Sequence, residues 1–402
     1  MISVGIDVSK EKSTICAMKP YGEIIMSPKD FKHTKEDMEH LTDKISSLGE
    51  DVKCVLEATG KYHLPICQYL KSHHLFVSVI NPLEMKRYRC QGLRNAKTDK
   101  IDSKIIAQYG IDHWYQLSEP QEIEQDRYEL RLLGRQYAQT MKIRVKRCQA
   151  LSDLLDMTMP GICGLLNDFN RYNGKDKLCD FVREYWHYDN ITKSSEKVFI
   201  KKYQTWSKKN GYRRNEDEAR QLYALAMNSI LTLDSGSEPV RLMIQNSVDI
   251  LKEVDASLYT ILNQMRELAK TMPEYDTVLS MGGIGETLAP CLIAEIGDIR
   301  QYHSGSALVA YAGIDVPPYE SGKFVGTKRH ISKRGSPLLR LLGYQIIDCL
   351  NKHGPRMVND TSVYNYFMKK RAEGKPYKVA GMAAFNKFLR IYHSRVTTIT
   401  TN

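Results

Sequence analysis

No stretch of this chain is apolar for long enough to cross a bilayer: none approaches the run of about 18 residues that a membrane helix requires. Met1 leads straight into a strand-like segment instead of a secretory leader. Neither secretion nor membrane insertion is therefore expected, and the expected setting is a bacterial or archaeal cytosol in association with the nucleoid. Cysteine occurs nine times with no CxxC pair, an odd and scattered set that argues against a disulfide framework or a zinc site and for reduced thiols. No internal repeat stands out. Acidic residues are in deficit, 47 against 58 Lys and Arg, which leaves a formal charge of +11 and an isoelectric point near 9.0. That balance suits a polyanionic partner without naming one. With 402 residues, two or three domains are expected, each able to bury a core.

Against this background four acids stand out: Asp7, Glu57, Asp99 and Asp102. Asp7 ends the apolar run Ser3-Val4-Gly5-Ile6, and Glu57 ends a second, Val52-Lys53-Cys54-Val55-Leu56. Both runs have the β-branched content of short buried strands, so the two carboxylates are expected side by side at strand ends. Asp99 and Asp102 open a segment with helical spacing (Ile101, Ile105, Ile106, Tyr109), and three residues apart they share one helix side. Four converging carboxylates repel one another unless a cation joins them. An oxygen-only set favours Mg²⁺ or Mn²⁺ over zinc. Taken singly, each acid is as readily a solvated surface charge, and Asp99 a helix cap.

The order of elements adds weight. Strands are expected over 3–8, 13–18, 23–26, 52–56 and 76–80, with helices over 35–48 and 62–71. Three meandering strands followed by alternating helices and strands predict a mixed sheet of ribonuclease H type, not a doubly wound one.

Four motifs carry a resemblance: Gly5-Ile6-Asp7-Val8-Ser9-Lys10, Leu56-Glu57-Ala58-Thr59-Gly60, Val79-Ile80-Asn81-Pro82 and Lys97-Thr98-Asp99-Lys100-Ile101-Asp102. Together they resemble the successive motifs of the DEDD transposases, the insertion-sequence family numbered one-ten, with Piv-type invertases as relatives. The resemblance implies a RuvC-like N-terminal domain, a metal-binding tetrad formed by the four acids, and a recombinase that works with duplex DNA at donor and target sites. It also implies a guide, or bridge, RNA. Later motifs extend it: Met281-Gly282-Gly283-Ile284-Gly285, Ala310-Tyr311-Ala312-Gly313-Ile314, Tyr319-Glu320-Ser321-Gly322 and Ile331-Ser332-Lys333-Arg334-Gly335. By that resemblance Ser321 is the nucleophile. One departure is Gly282, where relatives usually carry proline.

The residues themselves support these roles in part. Gly283 and Gly285 precede a helix, where free N–H groups suit a phosphate, although a plain connecting turn is equally consistent. Around Ser321 lie Lys323, Lys328, Arg329, Lys333, Arg334 and Arg340 against one acid, Glu320. Such a stretch suits a nucleic-acid backbone, or is simply a solvated cationic face.

Between the two motif-bearing ends the chain changes character. Long amphipathic helices are expected over 121–156 and 244–268, the second with a coiled-coil-like seam (Ile244, Val248, Leu251, Val254, Leu258, Ile261, Met265, Leu268). They pair with each other or with a second copy. The segment 161–238 interleaves aromatics with bases, which fits either stacking on single-stranded bases or a small helical subdomain with an aromatic core. Three regions are expected: a RuvC-like α/β domain over 1–115, a helical coiled-coil region over 116–272 with an insertion at about 160–238, and a mainly α-helical transposase domain over 273–402.

The expected chemistry is phosphoryl transfer, with the Ser321 hydroxyl attacking DNA beside Mg²⁺ or Mn²⁺ held by Asp7, Glu57, Asp99 and Asp102. Because acids and serine lie far apart in sequence, a homodimer or tetramer is expected to complete the machine. Two other classes remain open: a metal-dependent RNase H-like nuclease or junction resolvase using water, and a binding protein needing the basic surface alone.

Overall fold

The computed structural model describes residues 1–49, 51–90, 98–120, 124–166, 175–316, 320–321, 324–325, 330–354 and 361–400. The chain divides into two compact units, Met1–Glu122 and Ile123–Asn402.

The first unit contains β1 (Ile2–Val8), β2 (Lys12–Lys19), β3 (Glu23–Lys32), α1 (Lys35–Ser46), β4 (Val52–Glu57), α2 (His63–Ser72), β5 (Val77–Ile80), α3 (Pro82–Arg89) and α4 (Asp99–Asp112). The strands form one mixed sheet in the order β3-β2-β1-β4-β5. β1 is antiparallel to β2 and parallel to β4, and β5 continues the parallel half. This is the expected ribonuclease H-like arrangement. Side-chain alternation explains its layers. Ile2, Val4, Ile6 and Val8 of β1, with Cys54 and Leu56 of β4, share a core with Met38, Leu41 and Ile45 of α1 and Ile66 and Leu70 of α2. The opposite parity of residues faces α4, where Val55 packs with Ile106 and Tyr109.

β3 runs six residues past the expected end at Met26. Ser27 and Pro28 interrupt its pattern, but the register shifts there, between Met26 opposite Ala17 and Lys29 opposite Ile15. Proline in an edge-strand bulge removes no ladder hydrogen bond.

The second unit opens with α5 (Gln125–Thr158), followed by α6 (Ile162–Leu165), α7 (Lys177–Glu184), α8 (Asp189–Thr192), α9 (Glu196–Lys209) and α10 (Glu216–Asn228). Then come α11 (Glu238–Lys270), α12 (Tyr275–Leu279), α13 (Leu288–Ile296), α14 (Gly305–Ala312), a two-stranded ribbon β6 (Glu320–Ser321) and β7 (Phe324–Val325), α15 (Pro337–His353), α16 (Ser362–Ala372) and α17 (Tyr377–Thr400).

α5 and α11 lie antiparallel against each other. Leu151 and Leu155 meet Ile244, Val248 and Leu251 near one end, while Leu130 meets Ile261 and Met265 near the other. Between them Arg144 pairs with Asp255. The seam over 244–268 is thus buried within the chain, the intramolecular alternative of the two that its spacing allows. One end of the pair enters the core of the insertion, where Phe181, Tyr188, Phe199, Tyr203 and Trp206 are buried. The other enters the C-terminal core built from α13, α14, α15 and α17. There Arg127 of α5 makes a two-pronged, buried ion pair with Glu274 (2.5 and 2.9 Å).

Candidate active site

The acids of the first unit are brought together by one close approach. A Cβ on Gly5 would collide with the main chain of Ser103 and Ala107, so α4 lies flush on β1. Any larger residue at position 5 would push the helix away. Asp7, two residues on, shares Gly5's face and so points toward the start of α4. The register Ile6 opposite Leu56 then sets Asp7 and Glu57 side by side at the ends of two parallel strands.

Asp99 and Asp102 occupy the first turn of α4, where negative charge also suits the helix dipole. The capping role is filled by Thr98, whose Oγ1 accepts from the Ile101 N–H at 3.2 Å. Asp99 is thereby released from the alternative role its sequence position allows. Asp102 is buried, whereas Asp99 is largely exposed and faces Lys12 at 3.8 Å.

Electrostatics reflect the convergence of the four side chains. Burial pushes the Asp7 carboxyl up to about 6, and the charges of Asp102, Asp99 and Glu57 push the same way while Arg89 opposes them. Two cations answer this negative field. Arg89, the last residue of α3, donates from Nη2 to Glu57 Oε2 at 2.8 Å and stands 3.7 Å from Asp102 Oδ1. Lys12 Nζ joins Asp30 at 2.6 Å, and Thr14 donates to the same carboxylate at 2.7 Å, which holds Asp30 below the usual carboxylate range. Sequence reasoning missed Arg89, Lys12 and Asp30. Arg89 follows Lys86 and Arg87 in a short basic run with no periodic signal, and only the fold shows which of the three turns inward.

Among the described residues no three His, Cys, Asp or Glu side chains form a ready-made metal cage. The donor set nevertheless fits a hard divalent cation: its ligating atoms are carboxylate oxygens, and a positive group already lies between Glu57 and Asp102.

In the second unit Ser321 ends β6 and is paired with Phe324 across the short ribbon. The base of the loop that carries it is closed by main-chain bonds: Ser332 N to Asp315 O (2.9 Å), Lys333 N to Gly313 O (2.9 Å) and Ser336 N to Tyr311 O (2.6 Å). Ser336 caps α15 and donates to buried Glu295 at 2.5 Å. Lys333 and Arg334 are exposed beside this frame. Arg340 is half-buried and donates to Ala312 O and Gly335 O, a clamp across the loop base. Lys323, Lys328 and Arg329 lie outside the described residues.

Gly283 adopts φ +82°, and a Cβ there would strike the Ile346 carbonyl, so it has a packing role of its own. Gly285 has open space around it. In the insertion the described aromatics are buried in the core or packed against it, Phe169 and Tyr172 lying outside the described residues, while Lys201, Lys202, Lys208, Lys209, Arg213 and Arg214 are exposed. That arrangement matches the helical-subdomain alternative.

Comparison with known proteins agrees with these features. A DEDD-type family model described as Transposase matches residues 4–160, and a second, described as Transposase IS116/IS110/IS902 family, matches residues 275–360. The pilin gene-inverting proteins of Moraxella bovis and Moraxella lacunata are each 23% identical over 345 residues, covering 85% of this chain and 78% of theirs. The transposase for insertion sequence element IS1111A of Coxiella burnetii is 30% identical over 124 residues, 31% of this chain and 33% of its own. With a DEDD-type match over the sheet and the helix α4 that together carry the four acids and a second over the helices around Ser321, the chain has the domain architecture of the IS110 and Piv-type transposases and recombinases.

Proposed function

We propose that this transposase is a site-specific DNA recombinase that cuts and rejoins strands through a phosphoserine link at Ser321, beside a divalent cation held by Asp7, Glu57, Asp99 and Asp102. The observation that carries the reading is the convergence of four carboxylates at the ends of β1 and β4 and the start of α4. When bound, Mg²⁺ or Mn²⁺ withdraws charge from a scissile phosphate and offsets the mutual repulsion of the acids. Ser321 Oγ attacks phosphorus, the bond from phosphorus to the leaving sugar oxygen breaks, and that oxygen takes up a proton. A carboxylate of the tetrad accepts the serine proton. In the return step the hydroxyl of an exchanged strand attacks the phosphoserine and releases the serine, so the phosphodiester is conserved without ATP.

Donor and target sites are duplex DNA, and a structured RNA of the element guides the choice between them. The exposed bases of α9 and the loop after it, together with Lys333 and Arg334, supply the polyanion-binding surface. Acids and serine belong to separate compact units, Asp102 and Ser321 being 219 residues apart, and assembly as a dimer or tetramer would complete two sites together.

The test is Ser321→Ala. It is expected to abolish recombination and any covalent protein–DNA adduct on denaturing gels while leaving DNA binding within about twofold, because a single oxygen atom is removed. Undiminished DNA cutting by this variant would establish the second reading, a nuclease with water as nucleophile.

A further inference from the structure

We propose that Arg89 is an internal counter-ion of the acidic site: it neutralises Glu57 and Asp102 in the metal-free protein, and its guanidinium must leave when a divalent cation enters. The inference rests on the tetrad reading above and adds a control on it.

Three observations carry it. The Arg89 Nη2 group stands 2.8 Å from Glu57 and 3.7 Å from Asp102, between carboxylates from two different elements. A cation bridging the same two acids would need that space. The engagement is one-sided, because Nη2 makes both approaches while Nε is buried and donates to no group among the described residues. A guanidinium committed to a permanent structural pair usually presents its fork to a carboxylate two-pronged, as Arg127 does to Glu274 in the second unit. Finally, Arg89 is the last residue of α3, so its side chain projects from the end of an eight-residue helix and not from a packed interior turn.

The physical logic is competition. Four carboxylates folded together need positive charge, and desolvated acids without it are costly. Arg89 supplies one charge at all times, which lets the first unit fold before metal arrives. The same charge then opposes metal entry, both by occupying space and by like-charge repulsion. Affinity for the divalent ion is therefore set by how easily the guanidinium turns aside.

Mn²⁺ binding to the full-length protein, measured by calorimetry or by the decline of the free-ion paramagnetic resonance signal, tests this directly. Arg89→Gln, which keeps length and polarity but removes the charge, is expected to bind Mn²⁺ about tenfold more tightly than the parent, within the usual range for coupled sites. Its melting temperature in EDTA should fall, and Mn²⁺ should raise that temperature more than it does for the parent. Arg89→Lys retains a charge and should keep parent-like affinity. Equal or weaker Mn²⁺ binding by folded Arg89→Gln would overturn the proposal. If Arg89→Gln folds only with Mn²⁺ present, while the parent folds in EDTA, the counter-ion role is supported by that dependence. Asp7→Asn distinguishes failure of the counter-ion role from failure of the tetrad: it should abolish Mn²⁺ binding, and if it does not, the tetrad reading fails whatever Arg89 does.

Discussion

Asp7 is the residue at which folding and chemistry pull hardest against each other. It is held where burial and three neighbouring carboxylates raise its pKa to about 6. For a carboxylate whose folded pKa lies above the unfolded value near 3.9, the native state binds the extra proton. Stability from this group is then fully present below the unfolded value and is lost as pH rises through about 6. In EDTA the protein should therefore melt at a lower temperature at pH 8 than at pH 5, as far as this site governs it. Asp7→Asn should recover about 1–2 kcal/mol at pH 8, after allowance for solvent screening, and flatten the dependence between those pH values. It should do so while abolishing recombination. Melting curves followed by circular dichroism would decide, and a variant as pH-sensitive as the parent would remove Asp7 from this role.

At the scale of elements, much was legible in the sequence because hydrophobic period and strand composition are local. The helices at 35–46 and 99–112, the parallel and meandering strands, and the first long helix lie within a few residues of their expected places, while the second long helix starts six residues before the expected 244. The end of β3 was not legible, since Pro28 reads as a stop until the strand is known to be an edge with a bulge. Nor was α3, whose short basic sequence carries little apolar pattern. Two of the candidate acids could be placed from strand ends and the other two from a shared helix face. What joins the pairs, α4 pressed on Gly5, is a three-dimensional approach of residues about a hundred positions apart.

The seam over 244–268 left its partner open, and α5 is that partner. Leu251→Glu should consequently unfold the second unit, not dissolve an assembly. A buried leucine replaced by a charge should cost at least about 3 kcal/mol in packing and desolvation. Thermal melts should show the destabilisation, and sedimentation of whatever remains folded should match the parent. Unchanged stability with a reduced oligomer would return the seam to an intermolecular role.

For the molecule as a whole, charge distribution matters more than charge. The formal excess of +11 is not spread evenly, since α9 and the loop after it expose seven Lys and Arg side chains with no ion pair seen among the described residues. Converting Lys201, Lys202, Lys208 and Lys209 together to Gln should weaken binding to duplex DNA. It should also reduce the slope of log affinity against log salt by roughly 0.9 for each phosphate that is no longer neutralised. Filter binding or fluorescence anisotropy at several salt concentrations measures both. Because the aromatics behind this face are core, base identity should matter little to that contribution. A slope identical to the parent's would leave α9 a solvated surface.

The loop that bears Ser321 is fastened at its base by main-chain bonds, 332 to 315, 333 to 313 and 336 to 311, and by two positions that only glycine fits: Gly313 at φ +65°, and Gly335, where a Cβ would strike the Tyr311 carbonyl. These described fastenings lie on the two sides of the ribbon, in residues 311–315 and 332–340. Exchanging the segment between Val316 and Ile331 for a relative's, with the serine at 321 and both glycines of the base kept, is expected to leave the host folded, and an exchange that unfolds it would show that the ribbon itself shares in the anchorage.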